Sequence, residues 1–290
     1  WEQFVQPSGL DENAENLHNL PGGRQYYINY ANSNNADDIK VYVHAQYGFV
    51  RHGKPVYPEY YDTHHTSQQS LSAIPGLPII IGVDFGLTPA AVFCQREING
   101  RWRIIREIVS DNMGAIRMGE LVARTCQQHY PNFEYVAWAD PAGNARGQNN
   151  EQTCIDAFKL ASKIQMKPAP TNDTTKRLLA VSEALRRFID GTPGIILDPK
   201  LCPMLRKGFS GSYCWRKKQV ANADLYHEDE PFKNEFSHIH DALQYALLGG
   251  GEAAIAMKNP MYNGDFQRLI DQRNRENDKY WETRDVLADV

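Results

Sequence analysis

Long apolar runs are missing from this 290-residue chain. Nothing approaches the roughly 18 consecutive apolar residues a membrane helix needs, and no secretory signal opens the sequence. No membrane partner is expected. Cysteine is scarce: Cys94, Cys126, Cys154, Cys202 and Cys214 are odd in number and contain no close pair. That argues against a disulfide framework or a zinc ribbon and suits a reducing cytoplasm. A basic surplus is lacking too, since the formal net charge is −4. Composition alone does not call for nucleic acid, and a DNA enzyme with this balance would need its cations gathered on one face. No G-x-x-x-x-G-K-[ST] phosphate loop occurs, so ATP hydrolysis by that route is not expected. Internal repeats and low-complexity tracts are also absent. The first residue is Trp1 rather than Met, and the chain is expected to be a piece of a longer protein.

What is present is ordinary for a globular protein: 42% hydrophobic and 23% charged residues, over a length sufficient for one large or two modest domains. Residues 1–75 lack sustained periodicity and read as a linker or tail packed on a neighbour. Within them "GLDENAENLHNLPGG" suggests a short polar helix stopped by Pro21-Gly22-Gly23. "ADDIKVYVHAQYG" fits helix or strand. From residue 76 the pattern tightens. Strands are predicted at 79–84, 90–97 and 101–109, the last two joined by Asn99-Gly100, a strong hairpin signal. A helix at 115–130 follows, with Met118, Leu121, Val122 and Thr125 on one face. Then come strand 134–140, helix 151–163, strand 164–168, helix 174–190 with the stripe Leu178, Val181, Leu185 and Phe188, and a strand in "GIILDP". An antiparallel meander of three strands followed by strands alternating with helices predicts an α/β mixed sheet at 76–250. Residues 251–290 read as a charged, helical tail.

Three acids stand where chemistry is done. Asp84 ends "IIIGVD" and Asp140 ends "EYVAWAD". In open α/β sheets, ligands bind outside the carboxyl ends of the strands. The simpler alternative is that each acid opens its own turn, since "DFG" and "DPAG" are both good turn openers. Asp241 lies in "SHIHDALQYALL", off the apolar stripe Ile239, Ala242, Leu243 and Ala246, with His238 three residues before it and Tyr245 four after. Near a helix N-terminus it would also suit the helix dipole. His238 and His240, without a spaced third ligand, make a poor zinc site. If the three acids met, two like charges 4 Å apart would repel by about 4 kcal/mol at an effective dielectric near 20. A hard divalent cation reverses that sign, and all-carboxylate ligands favour Mg²⁺ or Mn²⁺.

"GLPIIIGVDFGLTPAAVFCQ", "VAWADPAG" and "FSHIHDALQYALL", in that order, resemble the nuclease domain of the large terminase subunit of tailed bacteriophages. "WEQFVQPSGLDENAENL" and "KPVYPEYYDTHH" resemble the stretch joining that family's packaging ATPase to its nuclease. The resemblance covers most of residues 1–250. It implies an RNase H-like fold and a triad of metal-binding acids corresponding to Asp84, Asp140 and Asp241, with two Mg²⁺ or Mn²⁺ ions. The implied reaction is endonucleolytic cleavage of concatemeric double-stranded viral DNA during packaging. The implied partners are double-stranded DNA, a portal ring, a small terminase subunit and an ATPase domain in cis, in the cytoplasm of an infected bacterial host.

Secondary candidates are Glu107, ending the third strand, Glu120 in the following helix, and Asp198 as a strand-end turn residue. Arg206, Lys207, Arg216, Lys217 and Lys218 are interleaved with Phe209, Tyr213 and Trp215 in "LRKGFSGSYCWRKKQ". They suggest a hairpin touching DNA phosphates without reading bases, and Arg146 is a further candidate. A solvated hairpin with aromatics anchored in the core explains the same stretch. Two rival functions stay open. "DFGLT" also fits the D-x-G-x-T phosphate loop of sugar-kinase and actin-like ATPases, though no second Gly-rich loop accompanies it. Alternatively, the charged tail 265–290 could serve a non-catalytic module that grips DNA and docks on the portal.

Overall fold

A computed structural model describes residues 6–33, 39–45, 54–86, 88–144, 152–218 and 226–253. The chain divides into two compact units, one of them Gly53–Asn259. In the other, the described residues form a 3-10 turn at Leu17–Asn19, a helix α1 at Arg24–Ser33 and a π-helical turn at Ile39–Val43. The Gly9 amide donates to the Val43 carbonyl at 2.7 Å. Pro21-Gly22-Gly23 follows the single 3-10 turn, all that forms of the expected polar helix, and leads into α1, with Gly22 and Gly23 both at positive φ.

The larger unit is built on a six-stranded sheet. Its strands are β1 (Ile79–Asp84), β2 (Ala90–Arg96), β3 (Trp102–Val109), β4 (Tyr135–Ala139), β5 (Met166–Pro168) and β8 (Ile195–Leu197), in the order β5-β4-β1-β2-β3-β8. β1, β2 and β3 pair antiparallel, while β4 joins β1, β5 joins β4 and β8 joins β3 in parallel. This is the RNase H-like mixed sheet, with the expected meander at its centre. Helices cover both faces, which explains why β1 is apolar on both sides up to Asp84. Ile79, Ile81 and Val83 face a core with α3 (Ala115–His129) and α4 (Cys154–Ser162). Ile80 faces the other core, with α5 (Thr174–Arg186) and α7 (Ser237–Leu247). The hydroxyl of Thr153 caps α4 and the carboxylate of Asp173 caps α5, each accepting a backbone N–H at 3.1 Å.

Several expectations change. The helix expected to run to residue 190 ends at Arg186. Phe188–Ile189 (β6) and Thr192–Pro193 (β7) then pair as a small hairpin around Asp190-Gly191, both at positive φ. Phe188 therefore leaves the apolar stripe and is exposed. The stretch 54–75, expected to belong to a linker, is part of this unit. Val56, Tyr57 and Tyr60 are buried in its core, and helix α2 (Asp62–His65) sends His65 Nε2 to the Leu185 carbonyl at 3.1 Å. The charged tail beyond residue 253 lies outside the described residues.

Candidate active site

Val83 pairs with Ala139 across the parallel strands, and in each case the next residue is an acid, Asp84 or Asp140. Alternation along β1 puts Val83 towards α3 and α4, so Ile80, Gly82 and Asp84 share the face covered by α7. Gly82 makes that cover close. A Cβ built there would stand 1.9 Å from the Ala242 carbonyl oxygen. The strand therefore needs glycine for α7 to lie directly on it, and Asp241 precedes the residue that touches it.

The helix is buried nearly all round, not along a stripe alone. Asp241, off the apolar stripe, is buried by polar neighbours: Arg177 of α5 donates to its Oδ1 and Lys233 Nζ to its Oδ2, the latter at 2.7 Å. Asp84 Oδ2 accepts from His238 Nδ1 at 2.8 Å. Burial raises the Asp84 carboxyl above its ordinary range, the His238 bond opposes this, and the nearby charge of Asp241 adds to it. His238 is raised in turn, chiefly by its bond to Asp84 and against its partial burial. Asp140 Oδ1 accepts from the Ala142 amide at 2.8 Å, so it also opens the turn Pro141–Asn144. One phenol feels all three acids. Burial raises Tyr245, Arg177 opposes, and the charges of Asp140, Asp241 and Asp84 each push it further. Among the described residues, however, no three His, Cys, Asp or Glu groups stand close enough together to hold a metal ion.

Other candidates lie elsewhere. Glu107 accepts from the Met204 and Leu205 amides at 2.6 and 2.9 Å, capping a short helix α6 (Pro203–Lys207), and burial pushes its carboxyl up to about 7. Glu120 is exposed. Asp198 is fully buried and accepts from the Leu71, Lys200 and Leu201 amides, the turn role expected. His240 turns into the core, stacked 4.5 Å from Tyr213, and burial drops its pKa to about 3. It is no zinc ligand in this arrangement.

The basic stretch does not form one hairpin. Arg206 and Lys207 end α6, Gly208–Ser212 is a π-helical turn, and only then does strand β9 (Trp215–Lys218) pair with β10 (Tyr226–Pro231). Arg206 clamps Asp62 through Nε and Nη2, both at 2.6 Å. Lys207 Nζ lies 5.2 Å from the Phe236 ring centroid, and Arg216 is exposed on β9. Arg146 and the side chains of Lys217 and Lys218 lie outside the described residues. The sequence reading overlooked Arg177 and Lys233. It undervalued His238, whose spacing from Asp241 was the available signal.

No protein-family model matches the sequence, and no curated protein matches it. Solved structures do. The chain is similar to the large terminase of a thermophilic bacteriophage in complex with ADP, at 16% identity and a TM-score of 0.51 over 79% of this chain and 52% of that one. A second structure of the same thermophilic phage protein gives 16% identity and a TM-score of 0.50 over 77% and 51%. The P22 large terminase nuclease domain is also found, at 12% identity and a TM-score of 0.46 over 67% and 91%. The chain spans about half the length of the thermophilic phage terminase. That likeness is one of fold.

Proposed function

We propose that Gly53–Asn259 is a metal-dependent endonuclease that hydrolyses the phosphodiester bonds of double-stranded DNA, acting within a phage genome-packaging machine. The observation that supports this most is the corner itself: Asp84 and Asp140 end adjacent parallel strands beneath a helix that carries Asp241. The fold shared with the thermophilic phage terminase supports the same reading. The proposal extends to a portal ring, a small terminase subunit and an ATPase domain as partners, in the cytoplasm of an infected bacterium.

The donor set suits a hard cation, because its members are carboxylates. In the present arrangement cationic side chains serve the buried acids: Arg177 and Lys233 on Asp241, and the His238 imidazole on Asp84. The Lys233 side chain is 70% exposed and can swing into water. As the side chains stand, no three such groups among the described residues are close enough to hold an ion, so a divalent ion held by Asp84, Asp140 and Asp241 would require Lys233 and His238 to give way. When bound, such an ion activates water and stabilises charge at the phosphate. The protein's own groups do the positioning. His238 orients one oxygen of Asp84 through Nδ1, and α7 fixes Asp241 against β1. Arg146, Lys207, Arg216, Lys217 and Lys218 are proposed to meet backbone phosphates. Arg206 instead secures the segment around Asp62.

Incubation of supercoiled plasmid with Mn²⁺, Mg²⁺ or EDTA tests the proposal, with Asp241→Ala beside the wild type. Nicking that needs metal and disappears in the variant is expected. Wild-type cleavage by a folded Asp241→Ala would refute this site. A folded wild type that cuts with neither metal would favour the docking-module reading.

A further inference from the structure

Resting on the nuclease reading above, we propose that Lys233 is a latch released by DNA: without DNA its ammonium closes Asp241, and a backbone phosphate of the duplex draws it away. Lys233 Nζ donates to Asp241 Oδ2 at 2.7 Å. The two ends of that bond differ. The Lys233 side chain is 70% exposed, whereas that of Asp241 is 6% exposed. The backbone around the lysine is fixed on both sides. The Phe232 amide donates to the Cys214 carbonyl at 2.8 Å, Asn234 Nδ2 donates to the Ser212 carbonyl at 2.8 Å, and the Ser237 hydroxyl donates to the Asn234 carbonyl at 2.7 Å. A long flexible stem thus leaves a held stretch between β10 and α7 and ends on the acid. Its charge also reaches the other groups of the corner, opposing the rise of the Asp84 carboxyl and that of His238.

Release is easy for this cation and costly for its neighbour. An ion pair with one partner largely in water holds weakly, and an ammonium is a hydrated point charge that a phosphate oxygen serves as well as a carboxylate. Asp241 keeps a cation when Lys233 leaves, because Arg177 donates to its Oδ1. The Arg177 side chain is only 9% exposed, with Nε on Gln244 Oε1 at 2.9 Å and Nη1 on Asn172 Oδ1 at 3.0 Å, so it stays. The carboxylate is therefore never left buried and unpaired, the state that would forbid the movement. What the movement frees is Oδ2 alone. A duplex carries one negative charge for about every 1.7 Å of its axis, so DNA laid over the corner brings phosphates to a cation that can follow them. Lys233 thus has two partners, one in the fold and one on the substrate, and the acid is covered until the substrate arrives.

The test measures binding of the full chain to an uncut fluorescent duplex in EDTA, by anisotropy over a range of salt, so that no metal enters. Lys233→Ala is expected to weaken binding and to lower the salt slope by about one, as the loss of one phosphate contact does. Asp241→Asn takes the latch's partner away. It should tighten binding about fivefold, the lower end of coupling between sites, and that gain should vanish in the Lys233→Ala background. Asp84→Asn removes a charge without releasing the latch, so its effect should be the same in both backgrounds. Unchanged affinity and slope in Lys233→Ala, or an Asp241→Asn gain that persists without Lys233, would overturn this inference and leave the nuclease reading standing. A folded wild type that binds no duplex at any salt would sink the nuclease reading and the inference with it. Should Asp241→Asn fail to fold, the nuclear magnetic resonance of the Lys233 ammonium in wild type decides, assigned by its loss in Lys233→Ala. It should shift when duplex is added in EDTA, and an unmoved signal would refute the latch.

Discussion

Asp84 sits where burial opposes its charge, with an imidazole on one oxygen and a second carboxylate nearby. A perturbed carboxyl buried at a strand end is a candidate for chemistry. Asp84→Ala is expected to slow metal-dependent plasmid nicking by at least about 10²-fold, the scale of losing one electrostatic stabiliser, while its circular dichroism spectrum stays unchanged. Wild-type cleavage by this variant would remove Asp84 from the site. Glu107 is a half-buried acid that caps α6. Its pKa is raised from 4.5 to about 7 by burial, so the folded state holds its proton more tightly than the unfolded one. Its contribution to stability is therefore complete below about pH 4.5 and is lost as the pH rises through 7. Glu107→Gln should accordingly flatten the pH dependence of stability across that window, seen as a melting temperature that gains on wild type at pH 8 compared with pH 5. An equal difference at both pH values would show that the carboxyl does not titrate there.

At the scale of elements, the contact that makes the site is α7 lying on β1. Its warrant is Gly82, whose replacement by any side chain drives a Cβ into the Ala242 carbonyl. Gly82→Ala is expected to cost about 3 kcal/mol or more in urea unfolding, at the upper end of overpacking, because the obstacle is backbone that cannot rotate away. Cleavage should fall even under conditions where the variant remains folded, since the helix carrying Asp241 must shift. A variant with wild-type stability would mean that α7 sits elsewhere. The two sequence readings of the helix at 237–247 fared differently. Its apolar stripe was legible from 3.6-residue spacing, whereas the burial of its polar side was not. That burial depends on Arg177 from an element 64 positions away in sequence.

At the scale of the molecule, the unit is bounded by packing rather than by pattern. Val56, Tyr57 and Tyr60 are buried in the same core as Ile239 and Leu243, though nothing periodic marks their stretch. A fragment of residues 53–259 is expected to unfold cooperatively and to retain metal-dependent nicking. One beginning at residue 76 forfeits three large buried side chains, worth roughly 2 kcal/mol each, and the Tyr57 bond to Gln244. It should be markedly less stable in urea. Equal stability of the two fragments would place the boundary at 76 after all.

Local pattern in the chain was enough for the order of strands and helices from 79 to 186, for the strand at 195–197, and for the carboxyl-end placement of Asp84 and Asp140. These follow from alternation, helical spacing and turn residues. The same kind of pattern picked out Asp241 as the acid off an apolar stripe. Which groups share that corner emerged with the folded chain. His238 meets Asp84 across 154 positions, and Arg177 and Lys233 reach Asp241 across 64 and 8. The fold also revealed that Arg206 is committed to Asp62, that Phe188 leaves its helix, and that residues 54–67 complete the core. The physical reason is the same throughout. Periodicity reports which face of an element is apolar, but a buried charge is permitted only by partners that distant segments bring to it.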